Sequence, residues 1–154
     1  MKILDRLPYF DRPTFLSFGA HTVEVRSYQI LVWLSIAQPV FPAVLDTGHS
    51  HNVSVTARQL REWAGVEALE EIGQIEVNRR LMSQHEASVR IHRNRPGTRE
   101  PLPESCSLVI DQGITVIPED GAIRLPLLGL RAITRSGLKL LIDGKRRELT
   151  LRTG

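Results

Sequence analysis

The sequence predicts a mainly β domain of many short strands with one or two short helices, in a closed or two-layer arrangement. Three observations predict it. β-branched and aromatic residues gather in short runs, as in "TVEVRSYQILVWLSIA" and "CSLVIDQGITVI". Turn-forming residues break those runs at short intervals, among them "DTG", "PEDG" and "IDGK". Helical spacing runs through one segment, "TARQLREWAG", and is brief in a second, "RAIT".

Taken in order, "HTVEV" alternates and "ILVWLSIA" is a β-rich run centred on Trp33. "FPAVL" and "NVSV" are strands on either side of a sharp turn at Asp46 and Gly48. Thr56 is placed to cap the first helix, with Leu60 and Trp63 on one face and Gly65 as its stop. "QIEVNRRLMSQHEASVRIH" reads as two strands around a turn near Asn78 to Leu81. "RNRPGTREPLPES" reads as a surface loop because of its three prolines and one glycine. Short strands follow, divided by Gly113 and by the turn from Pro118 to Gly121. "LKLLIDGKRRELTLR" is expected to be a hairpin, with Asp143 and Gly144 as a two-residue turn.

The 154 residues suit one domain able to bury a core without staples. Hydrophobic residues at 42% and charged residues at 24% exclude disorder as a description of the whole chain. The net charge of +3 comes from scattered cations, and 5% aromatics supply no evident base-stacking platform, so nucleic acid is not an expected partner. The N-terminus carries charges and two prolines within its apolar stretch, unlike a signal peptide. The longest apolar run, "ILVWLSIAQPVFPAVL", is too broken for a membrane span, so a soluble, cytoplasmic protein is expected. Cys106 stands alone among small and apolar neighbours, which fits a buried, inert thiol in a reducing compartment.

The residues that carry chemistry lie in "AVLDTGHS". Asp46 after an aliphatic run is either a turn residue that closes its own loop or half of a catalytic pair. A D-T-G triplet alone turns up by chance in roughly a few per cent of chains this long. The aliphatic Val44 and Leu45 before it and the hydroxyl of Ser50 after it make the pattern much more specific.

This loop resembles the active-site loop of the retropepsin-like aspartic proteases, the retroviral-type, single-domain ones. "LPLLGLRAI", residues 125–133, resembles that family's strand end, glycine and short helix, and the order of elements agrees over roughly residues 28–151. The resemblance implies a retropepsin-like closed β-barrel or sandwich over residues 28–154, preceded by an N-terminal extension over residues 1–27. It implies an aspartic endopeptidase in which two carboxylates share one proton, one taking a proton from water while the other protonates the scissile carbonyl. The aspartic proteases are themselves the established instance of such a shared proton. The pair titrates as a unit, and neither aspartate owns a pKa. Only one D-T-G is present: Asp111, Asp120 and Asp143 stand in turn contexts. The second carboxylate is therefore expected from Asp46 of a second copy, in a two-fold homodimer to which the terminal hairpin supplies strands.

By the same resemblance Thr47 reaches across to the facing loop, Gly48 lets substrate backbone pass close, and Ser50 bonds within the turn. The covering flap maps to "IEVNRRLMSQHEASV", with a tip from about Asn78 to Met82. The substrate-binding set is then His49, Arg79, Arg80, Leu81, Met82, Leu128 and Gly129. The partners are a second copy of the chain and a peptide or protein substrate, with no cofactor and no metal expected. His49 and His51 are spaced to share one side of a strand, but nothing completes a metal-binding pattern.

Several residues depart from the family pattern. The flap tip has no glycine, His49 stands where a small residue is common, and Ser50 and Leu130 occupy the places of the family's acid–arginine pair. The alternative they leave open is a module of the same fold that dimerises or binds peptide without cutting it.

Overall fold

A computed structural model describes residues 1–154. β1 (Lys2–Asp5) is followed by the hairpin of β2 (Thr14–Phe18) and β3 (His21–Val25). β4 (Ile30–Ser35) pairs with β5 (Val40–Asp46), and β6 (Val53–Thr56) leads into α1 (Ala57–Glu62). β7 (Glu71–Val77) and β8 (Arg80–His85) form a second hairpin, followed by β9 (Arg90–Asn94), β10 (Pro101–Ser107) and β11 (Ile114–Ile117). β12 (Leu127–Gly129) runs straight into α2 (Leu130–Arg135), and β13 (Leu138–Asp143) and β14 (Glu148–Thr153) close the chain. No helix is long and apolar enough to cross a membrane.

Nine strands make one sheet in the order β10-β9-β4-β5-β12-β6-β11-β8-β7, and β1-β14-β13 make a second. No sheet closes on itself, which corrects the expected closed barrel to an open, layered arrangement. The edges explain why. β10 carries Pro101 and Pro103, which have no N–H to offer a further strand. At the other edge β7 pairs only with β8, leaving its outer side exposed.

β4 is apolar from Ile30 to Leu34 because both of its faces are covered. Val32 and Leu34 point into the main core with Phe41, Val53, Ile91 and Leu128, whereas Leu31 and Trp33 point into a smaller cluster with Val25 and Val44. Ile3 and Leu4 of β1 and Leu151 of β14 also belong to the main core, so the three-stranded sheet packs against the large one. α1 is six residues long and is held at its start by a capping box: Gln59 N–H donates to Thr56 Oγ1, and Thr56 N–H donates to Gln59 Oε1.

Three local expectations change. The proline-rich loop is shorter than its composition implies, because its second half is edge strand β10. The terminal hairpin has a four-residue connection from Gly144 to Arg147, since Asp143 pairs with Glu148 and its Oδ1 accepts from Arg146 N–H. The β7–β8 turn is only Asn78 and Arg79, both with positive φ (52° and 64°), the conformation a tight hairpin turn needs. Asn tolerates it through its short polar side chain.

One crossing in the sheet positions everything that follows. β12 lies between β5 and β6, parallel to the first and antiparallel to the second. The segment joining β5 to β6 must therefore pass over the end of β12. It does so at Gly129, whose N–H donates to Asn52 O (2.7 Å), while Leu130 N–H donates to His49 O (2.8 Å). A Cβ on Gly129 would lie 1.9 Å from His51 O and 2.8 Å from His49 O, inside the backbone of the crossing segment. Gly129→Ala is expected to destabilise the fold by about 3 kcal/mol, through overpacking against backbone that cannot move aside. Thermal unfolding should show this as a fall in Tm of roughly 6–12 °C.

Candidate active site

Asp46 is the last residue of β5 and stands in register with Gly129 of β12. Its Oδ1 accepts from Gly48 N–H (2.9 Å), and its carbonyl oxygen accepts from His49 N–H (3.1 Å). The carboxylate thus closes its own turn, as a structural aspartate would. Half-buried in a loop whose tip is open to solvent, it also presents Oδ2, which makes no bond within the chain. One geometry accommodates both roles read from the sequence.

Thr47, Gly48 and Ser50 are exposed at the tip of the loop. The hydroxyl that bonds within the loop region is that of Ser54, not Ser50. Ser54, buried on β6, lies 2.7 Å from His49 Nε2. His49 is half-buried, with its ring 5.2 Å from that of His51. Burial, and next the neighbouring His51, hold its imidazole below the usual histidine range, against the opposing pull of Asp46. No group of three or more His, Cys, Asp or Glu side chains is arranged to hold a metal ion. Cys106 is unpaired and half-buried, and that burial pushes its thiol up.

The loop is anchored from below by residues that the sequence did not single out. Asn52 is buried and donates through Nδ2 to Gly113 O (3.3 Å) and to Asp111 Oδ1 (3.4 Å). Arg131 of α2 grips the same carboxylate with two bonds, Nε to Oδ1 (3.1 Å) and Nη2 to Oδ2 (2.7 Å). Ser50 and Leu130, as their side chains require, form no acid–arginine pair. An arginine one residue further along nevertheless ties α2 to the Asp46 loop, through Asp111 and Asn52. The only sequence signal was the aspartate–glycine turn "IDQG" itself.

A cleft of about 370 Å³ opens beside the loop, between it and the β7–β8 hairpin. His49 and Ser54 stand at its base, Val77, Met82, Ile117, Ile123 and Leu127 line its walls, and Asn78 lies at its mouth. Strand alternation sorts the residues of the β7–β8 hairpin: Arg80 and Met82 face the cleft, and Leu81 points away with 69% of its surface exposed. Arg79 is in the turn and does not line the cleft. Arg80 Nη1 instead bonds Glu119 Oε1 (2.6 Å), tying the hairpin to the segment before β12. Of the "LLG" element, Leu127 lines the cleft, Leu128 is fully buried in the core, and Gly129 supports the loop from beneath.

The Arg131 fork, with help from Asn52 and Arg135, holds the Asp111 carboxyl below the usual carboxylate range. A depressed carboxylate pKa stabilises the fold above the unfolded value, and that contribution is lost as pH falls through the folded one. The stability difference between wild type and Asp111→Asn is therefore expected to be constant near neutrality. It should shrink below about pH 4, the unfolded aspartate value, and vanish under stronger acid. Urea unfolding of both proteins across that range measures it.

No protein-family model and no curated protein matches the sequence. Among solved structures, the chain is similar to a retropepsin-like aspartic protease from Rickettsia conorii, with 13% identity, 90% of this chain and 89% of that chain covered, and a TM-score of 0.49. It is also similar to the retroviral protease-like domain of Ddi1 from Leishmania major, with 19% identity, 80% and 87% covered, and a TM-score of 0.44.

Proposed function

We propose that this chain is one half of an aspartic endopeptidase, active as a homodimer in which Asp46 of each copy supplies one carboxylate of the dyad. The observation that carries this is the placement of Asp46. It stands at the end of β5 with one carboxylate oxygen held by Gly48 N–H and the other open, in the loop whose His49 lines a cleft bordered by the β7–β8 hairpin.

The chemistry follows from pairing that carboxylate with its own copy. Two carboxylates on a two-fold axis cannot both ionise, so they hold one proton between them. The ionised member takes a proton from a bound water as it attacks the peptide carbonyl. The protonated member donates to the carbonyl oxygen, giving a tetrahedral diol. The carboxyl that took the water proton then gives it to the nitrogen while the other takes back a diol proton, and the C–N bond breaks to release amine and acid. Gly48 keeps the loop free of a side chain where substrate backbone passes, and Thr47, exposed at the loop tip, is positioned to bond the facing loop. An extended peptide lies between the loop and the β7–β8 hairpin, in the manner of an added strand. The terminal hairpin supplies dimer contacts: β13 is a sheet edge, and Leu141 and Ile142, on opposite faces of it, are both more than 60% exposed.

A second reading has one observation in its favour. The Arg80–Glu119 pair holds the hairpin down over the cleft, which suits a module that retains a peptide without turning it over. Asp46→Asn separates the two. Wild type is expected to cut peptides from an unbiased library, and the variant to lose about a thousandfold or more of that activity while keeping its fold and dimer. Equal inertness of both proteins from acid to neutral pH, with the dimer intact, would contradict catalysis and leave the binding module.

A further inference from the structure

The cleft is apolar on its walls and polar at its base, and the base is built by strand register. Ser54 of β6 stands directly beside Thr115 of β11 on one side and Leu127 of β12 on the other. Ser54 and Thr115 are both buried, at 2% and 3% exposure, yet both line the cavity. The Ser54 hydroxyl is engaged by His49 Nε2, and that bond fixes the imidazole ring over the cleft with Nδ1 as its open nitrogen. The Thr115 hydroxyl makes no bond within the chain. The site therefore offers two hydrogen-bonding groups, from His49 and Thr115, at the end of an apolar hole.

Charge is balanced at the other end. Arg80 and Glu119 neutralise one another across the mouth, and no other charged side chain lines the cavity. A substrate side chain with a charged tip would bury that charge against an uncharged base, which is costly without a counterion. A wholly apolar one would leave the groups at the base without partners. A flat ring fits walls that include the Met82 side chain, whose thioether suits aromatic contact. The volume of about 370 Å³ holds an aromatic side chain with space to spare.

Building on the peptidase reading, we propose that this cleft is a specificity subsite for a substrate tyrosine, whose hydroxyl is read by His49 and Thr115 and whose ring packs on Met82, Val77, Ile117 and Ile123. Partial burial of His49 disfavours its charged form, which suits a hydrogen-bonding partner better than a cation. This gives a role to His49, which the aspartate chemistry does not use.

The test compares two peptide libraries that differ only in carrying tyrosine or phenylalanine at one fixed position, read as the ratio of kcat/KM values. A site built to bond a hydroxyl discriminates strongly against the analogue that lacks it, so wild type is expected to prefer tyrosine by about tenfold or more. The ratio should fall toward one in Thr115→Val, which keeps the shape of the side chain, and in His49→Leu. Using the ratio within each variant removes any general loss of activity. A wild-type ratio near one, or a ratio that neither substitution moves, overturns the subsite while leaving the peptidase standing. Binding of the same libraries to Asp46→Asn, by fluorescence anisotropy, separates the two ideas from the other side. Tighter binding of the tyrosine library with no cleavage by wild type keeps the subsite and ends the peptidase reading. Equal binding of the two libraries, or none, overturns the subsite.

Discussion

The candidate site depends on one contact, the passage of the segment 47–52 across Gly129. Because β12 is inserted between β5 and β6, the chain must leave the sheet after Asp46 and return at Val53 over the end of another strand. Two backbone bonds, from Gly129 N–H and Leu130 N–H, fix the crossing, and the lack of a side chain at 129 lets the two backbones touch. Asp46 ends β5 with its turn closed by its own Oδ1, and the loop after it is held by Asn52, Asp111 and Arg131.

This support is split between local and distant parts of the chain, and the split explains what could be read in advance. Asp46, Thr47 and Gly48 form a turn whose chemistry is contained in three consecutive residues, so the loop was legible. The "LLG" element was legible by its position, and Thr56 as a cap because capping is a local affair. Asn52, Ser54, Thr115 and Asp111 were not, because each matters only through a partner elsewhere in the chain or through register between strands. Asn52, for example, bonds Gly113 across 61 residues of sequence. Nothing in "NVSV" says that its serine will face a histidine five residues earlier.

The misreadings have the same origin. Short β runs suggested closure, but closure depends on whether the two outermost strands can pair, and prolines 101 and 103 leave β10 as an edge. "DG" reads as a two-residue turn, yet Asp143 commits its carboxylate to Arg146 N–H and the turn widens to four residues. In the β7–β8 turn, by contrast, a glycine-free "NR" does adopt the tight geometry. Side-chain alternation then decides which residues of that hairpin reach the cleft: Arg80 and Met82 inward, Leu81 outward.

The proposed chemistry requires that two copies of Asp46 meet. A single chain brings no second free carboxylate to the loop, with Asp111 held by Arg131 and Glu119 by Arg80. The most direct measurement is the structure of the assembled protein, together with its mass in solution. The expected result is a two-fold dimer in which the Asp46 carboxylates approach within about 3 Å, close enough to share a proton. A protein that stays monomeric under every condition, or a dimer that holds the two Asp46 side chains apart, would contradict it.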